Sequence, residues 1–174
     1  MARHIRRIVT GHDSEGRSTV LYEGPAPNPV KRKAGWTATV LWHTDSMPAR
    51  YADDDRALGE FGVEPPKHGT IFRTVEFPPD SETGEADNAE VLAELGLDPA
   101  QNAARPDVHH TLHRTDTVDY LIVLTGEIDM QLDTGEVHLE AGDVVVQQGT
   151  VHAFRNRSDS PCLVAAVLVD ASGG

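Results

Sequence analysis

A single cysteine, Cys162, stands in a chain of 174 residues. No intramolecular disulfide can form, and a metal site built on thiolates is excluded. No apolar run reaches the length of a bilayer span. The opening MARHIRRIVTGHD carries charges but no apolar segment of signal-peptide length, so a reducing cytoplasm is the expected location. Positive charge is scarce: 15 Lys and Arg stand against 28 Asp and Glu, a formal net charge of −13. Phosphates are repelled by such a surface, which argues against nucleic acid and anionic membranes as partners. There is no repeat of solenoid period and no low-complexity tract.

What remains is enough for one domain with a core of its own. Apolar content is 39% and mean hydropathy −0.38, as expected of a globular chain. Residues 1–33 are net basic, whereas Asp80 to Asp98 hold acids and no Lys or Arg. That asymmetry reads as solvated loops.

Ile5–Thr10 and Ser18–Tyr22 predict two strands joined by the turn formers GHDSEG. EGPAPNPVKRKAG, with its prolines and basic cluster, predicts an irregular surface loop. Trp36–His43 alternates, with Ala38, Val40 and Trp42 on one face, and is a strand. Asp45–His68 is a polar excursion with a possible helical turn near Arg56–Leu58. Thr70–Phe77 is a strand stopped by Pro78-Pro79. Ala86–Leu97 is the helix candidate, with Val91, Leu92 and Leu95 on one face, Asn88 and Glu90 in the first turns and Gly96 near its end. From Val108 on, the pattern is strand throughout. Asp119–Thr125 is almost continuously apolar, as a buried strand should be. Short strands divided by glycines 126, 135, 142 and 149 predict an all-β sandwich or small barrel. Those glycines are expected where turns need positive φ or close approach.

Candidate chemistry gathers between His109 and Asn156. Residues two apart in a strand share a face. His109, Thr111, His113 and Thr115 then lie together, as do His152, Phe154 and Asn156, and as do Asp119, Leu121, Val123 and Thr125. A barrel could bring His113, Asp119 and His152 to one end of its interior. Two imidazoles and a carboxylate leave open positions on a divalent ion, and suit Fe, Mn, Zn, Co or Ni.

This stretch resembles the cupins. Their second motif is approximated by Gly142…Gly149-x-x-His152-x-x-x-Asn156, one residue short between the glycines and lacking the usual proline. Their first motif is approximated by His113 and by Asp119 six residues before Gly126, with Asp where Glu is usual. The motif's second histidine falls on Thr115. HRTDTVDY also resembles a subgroup of small bacterial and fungal cupin-domain proteins. The resemblance covers His109 to Asp170. It implies a single cupin-type barrel (double-stranded β-helix, jelly roll) of residues 1–174, with 1–107 adding strands, loops and one short helix and 108–170 carrying the motifs. It also implies a homodimer. At most three of the four family ligands carry over, namely His113, Asp119 and His152. Three outcomes stay open: a weaker metal site, substitution by His109 or His110, or an acid–base pocket without metal.

Bland readings stand beside these. His4, His12, His43, His68 and His138 read as ordinary polar residues, and Tyr120 and Phe154 as core aromatics. Asp119 could be satisfied by backbone or by Arg114. Arg73 is an outer-face charge or a cavity residue that holds a substrate carboxylate. His109, Thr115, Arg73 and Phe154 are the further pocket candidates. Cys162 is a small core residue. The expected function is an enzyme acting on a small organic substrate by metal-assisted decarboxylation, dehydration or isomerisation. A non-haem iron dioxygenase and a non-enzymatic ligand-binding barrel are the alternatives.

Overall fold

The structure is a computed structural model that describes residues 4–83, 86–98, 102 and 109–173. Among the described residues, eleven strands and one α-helix follow in order, with a short 3-10 turn at Asp80–Glu82: β1 Arg6–His12, β2 Ser18–Pro25, β3 Pro29–Lys31, β4 Thr37–Thr44, β5 Thr70–Phe77, α1 Asn88–Leu95, β6 Thr117–Thr125, β7 Glu127–Leu132, β8 Gly135–Glu140, β9 Val144–Gln148, β10 His152–Arg155 and β11 Cys162–Asp170. All pairings are antiparallel. A six-stranded sheet has the order β3-β4-β5-β11-β6-β9, a second sheet has the order β10-β7-β8, and β1-β2 form a separate hairpin. Among the described residues no helix is long and apolar enough to cross a membrane.

Register sets the inner face of the large sheet. Val40, Arg73, Ala166 and Leu121 lie in one row; Ile71, Leu168, Asp119 and Gln147 lie in the next. Two apolar clusters cover this face. One packs α1 residues Val91, Leu92 and Leu95 against Trp36, Val75, Ala166 and Leu168. The other packs Ile128, Met130 and Leu139 of the small sheet against Val123, Cys162 and Val164. Phe77 and Leu121 touch both. Helix and small sheet thus share one sheet face, and Arg73 and Asp119, in adjacent rows of that face, both line the cavity there.

Helix α1 starts at Asp87, whose side chain accepts from Ala89 N at 3.1 Å. It ends at Gly96, left-handed at φ 75°, with Leu97 N donating to Leu92 O at 2.9 Å. Asn88, expected near the cap, instead points inward and donates to the carbonyls of His110 (2.6 Å) and Leu112. It ties the helix to the histidine segment.

Several expectations are corrected. The proline-rich loop contains β3, which pairs with β4 through Val30 and Ala38. Arg56–Leu58 is a turn without helix. Strand does not run throughout the C-terminal part: 110–111 form a turn, His113 makes an isolated bridge, and β6 begins at Thr117. Val108 lies outside the described residues. β6 is not buried on both faces. Tyr120, Ile122 and Leu124 are exposed on the outer side, so Tyr120 is no core aromatic. Apolarity alone cannot tell a two-sided buried strand from one with an apolar outer face. Gly135 has neither positive φ nor a close neighbour, because residues 133 and 134 make the hairpin turn. Cys162 is fully buried in the second cluster, as a small core residue.

Candidate functional site

Three parts of the chain meet in the cavity between the two clusters. The segment before β6 brings Thr111, His113 and Thr115. β10 brings His152 and Phe154. The inner face of the large sheet brings Asp119 and Arg73. The cavity is small, about 50 Å³, and its remaining walls are mainly apolar, with Trp36, Val75 and Leu121 among them.

His113 and His152 form the centre. Their backbones exchange hydrogen bonds of 3.0 Å in both directions. That bridge brings the ring centroids to 4.5 Å. His113 Nδ1 donates to the Thr111 carbonyl at 2.8 Å. His152 Nδ1 lies 3.0 Å from the Thr150 carbonyl, to which it donates when protonated, and 2.7 Å from the Gln147 amide nitrogen, from which it accepts when not. Gln147 is clamped in turn, since its Nε2 donates to Thr150 O and its Oε1 accepts from the Thr150 hydroxyl at 2.6 Å. The Thr111 carbonyl assigns the His113 proton to Nδ1 and leaves its Nε2 lone pair available, whereas at His152 each tautomer finds a partner at Nδ1, the Thr150 carbonyl or the Gln147 amide N–H.

Burial sets the protonation states. Desolvation pushes His113 down to about 3, helped by the neighbouring His152 and by Arg73 and opposed by the Thr111 carbonyl. Desolvation pushes His152 down to about 4, opposed by the Thr150 carbonyl and helped by Arg73. Both imidazoles are therefore neutral at neutral pH. Asp119 is 5% exposed, and its Oδ1 is buried without a hydrogen-bond partner. Desolvation raises its pKa, while Thr117 and the Arg73 charge act the other way. Arg73 falls to about 10, lowered by burial, raised by Asp119 and lowered again by Arg32, and it remains a cation. Thr115, where the resemblance would place a second histidine, is 2% exposed and shares a hydrogen bond of 2.7 Å with Thr117.

His113, Asp119, His152, Thr115, Arg73 and Phe154 all line this cavity. His109 does not. It lines a neighbouring recess of about 10 Å³ with Asp80, Phe154 and Asn156. Its Nδ1 pairs with the Thr111 hydroxyl at 2.8 Å and its Nε2 lies 3.9 Å from Asp80. Burial and His110 push His109 down to about 4. Arg114 does not serve Asp119, because its guanidinium faces Asp116 at 3.2 Å. Two functional neighbours escaped the reading of the sequence. Gln147 could have been found from its parity, opposite Asp119 in register. Arg32 sits in the basic loop, where nothing in the local pattern marks it as inward.

The donor set fits a divalent ion in part. Two neutral imidazoles suit such an ion through Nε2 when each Nδ1 carries the proton toward its carbonyl. The orphaned Asp119 Oδ1 also calls for a cation or a proton. The three do not close into a compact cage, however. Among the described residues, the group whose ligand atoms all lie within 4.8 Å of one another is Glu127, His138 and Glu140. That trio is exposed on the small sheet, and His138 Nδ1 is engaged with Asp129 Oδ1 at 2.7 Å.

Residues 99–169 match the family described as Cupin domain. Phomopsin biosynthesis cluster protein C' of Diaporthe leptostromiformis is 54% identical over 55 residues, which cover 31% of this chain and 29% of that protein. The match thus spans less than a third of that relative. The cupin-domain-containing oxidoreductase fogC of Aspergillus ruber is 26% identical over 170 residues, covering 94% of this chain and 70% of the other. Among solved structures, a Cupin 2 conserved barrel domain protein from Salinispora arenicola is similar at 18% identity and a TM-score of 0.45, over 83% of this chain and 82% of that one.

Proposed function

We propose, from the premise that this chain belongs to the cupin superfamily through residues 99–169, that it is an enzyme whose small organic substrate reacts between His113, His152 and Asp119. One observation carries this reading. A half-buried His113 and a buried His152, both neutral, stand 4.5 Å apart; the Thr111 carbonyl at His113 Nδ1 leaves its Nε2 free to act, and the Thr150 carbonyl does the same for His152 when its Nδ1 carries the proton. Ordinary core histidines do not need that arrangement. A divalent ion held by His113 and His152 would supply Lewis acidity toward a substrate oxygen or, as iron, redox chemistry.

The chain's own groups have distinct tasks. Thr111 and Thr150 hold the two rings through their carbonyls, and Gln147 braces Thr150. Asp119, with its raised pKa, is placed to carry a proton to or from the substrate. The apolar walls exclude water from the reacting atoms.

Relatives such as the Aspergillus ruber protein carry the word oxidoreductase in their names. That supports oxidation over the decarboxylation, dehydration or isomerisation that the acid–base groups alone would also serve. An oxygen electrode separates the two. Iron-loaded protein should consume O₂ only when a substrate is present. Turnover without O₂ uptake would assign the site to lyase or isomerase chemistry. Elemental analysis of untagged protein tests the ion itself. Metal in the parent and none in His152→Ala supports it, and no metal in either rejects it.

A further inference from the structure

Arg73 lies mid-strand in β5, on the inner face between Val40 and Ala166. Among the described residues its side chain makes no hydrogen bond, and its Nε is buried without a partner. Arg32 follows β3 and has the same orphaned, buried Nε. Its Nη2 donates to Phe61 O at 3.1 Å and its Nη1 reaches Glu94 O at 3.5 Å. The two cations are near enough for Arg32 to act on Arg73 electrostatically.

Their placement is informative. Both line the inner cavity that holds His113, Asp119 and His152. Both also line an outer groove of about 470 Å³, whose other walls include Asn28, Phe61, Gly62 and Glu94. The arginines therefore stand at the boundary between groove and cavity. In a chain of net charge −13, two guanidinium groups with buried, unsatisfied N–H at one boundary are costly unless something anionic meets them. Asp119 offsets only part of this, since it borders the cavity from β6 and its own Oδ1 is unpaired.

We propose that Arg32 and Arg73 form a carboxylate-binding gate: the substrate is an organic acid that enters by the groove and leaves its carboxylate between the two guanidinium groups, with its reacting end toward His113 and His152. The planar fork of arginine matches a carboxylate in two parallel hydrogen bonds. The apolar walls beyond, Trp36, Val75 and Leu121, suit a short hydrocarbon portion. This substrate class rests on the reading of the cavity as the reacting site, but the binding step can be tested apart from it.

The probe is propionate, with propionamide as its uncharged isostere and inorganic phosphate as a second anion, titrated into ¹⁵N-labelled full-length protein. The Nε–H signals of Arg32 and Arg73 should move with propionate and stay still with propionamide. Arg73→Gln should weaken propionate binding by at least about 10-fold, and Arg73→Lys should weaken it less, because charge survives without the fork. His152→Ala should keep propionate binding, so loss of metal or turnover in that variant speaks only to the cavity reading. Equal response to propionate and propionamide, or unchanged affinity in a folded Arg73→Gln, would overturn the gate. Stronger binding of phosphate than of propionate would overturn the carboxylate assignment.

Discussion

Asn156 shows how a residue noticed for its place in a motif can act through structure. It is 2% exposed, and its Nδ2 donates to Phe77 O (2.9 Å) and Ser160 O (2.8 Å). Its Oδ1 accepts from the amide and hydroxyl of Ser158, and its own amide donates to Asp80. One side chain thus joins the end of β5, the loop after β10 and the start of β11. Asn156→Ala leaves those carbonyls without a donor and should destabilise the protein by about 2–4 kcal/mol. Urea denaturation measures this, with metal content per folded molecule expected to be unchanged. His113 and His152 differ in kind. Their Nδ1 atoms are engaged by Thr111 at one ring and by Thr150 and Gln147 at the other, and among the described residues no hydrogen bond uses their Nε2 atoms.

At the scale of elements, the turn between β6 and β7 is tightly constrained. Gly126 has φ +77°, and a Cβ there would stand 2.7 Å from Pro161 O and 2.9 Å from Cys162 Cα. Gly126→Ala meets both backbone strain and collision. A loss of about 2–4 kcal/mol is expected, read as a lower urea midpoint. Much of this level was legible beforehand. Thr70–Phe77 is bounded as observed, because Pro78-Pro79 stops it. The end of α1 was marked by Gly96. The parity of Asp119 and Leu121 put both on the face that lines the cavity. Less could be read around His109–Thr115, since parity presumes a strand and this segment has only one bridged residue. Arg32 was hidden for a similar reason: a side chain in a loop has no period to reveal its direction. Position in sequence also cannot show that Asn88 turns from the helix cap to hold the histidine segment.

The whole molecule depends on charge at a distance from the cavity. The β1-β2 hairpin belongs to neither main sheet. Arg7 fastens it, donating to Leu41 O and to both oxygens of Asp55, and Tyr22 OH donates to Asp53 O at 2.6 Å. The Arg7 hydrogen bonds hold Asp55 below its usual value of 3.8, against desolvation. A carboxylate depressed in the folded state stabilises the protein above the unfolded value, and that contribution is lost as pH falls through the folded one. Asp129 and Asp170 are depressed too, so stability should fall as pH drops below about 4, the ordinary carboxylate range. Asp55→Asn should cost about 1–3 kcal/mol at neutral pH and show a shallower loss between pH 4 and pH 2, by about one carboxylate's share. Chemical denaturation across that range reads both effects.

We propose that reactivity belongs to the His113–His152 pair and not to the exposed Glu127, His138 and Glu140. The visible spectrum of the Co²⁺-loaded protein decides between them most directly. Imidazole-bound cobalt bands are expected in the parent and in His138→Ala, and are expected to disappear in both His113→Ala and His152→Ala. Bands that survive in these two variants and vanish in His138→Ala would place the metal on the surface and contradict the account.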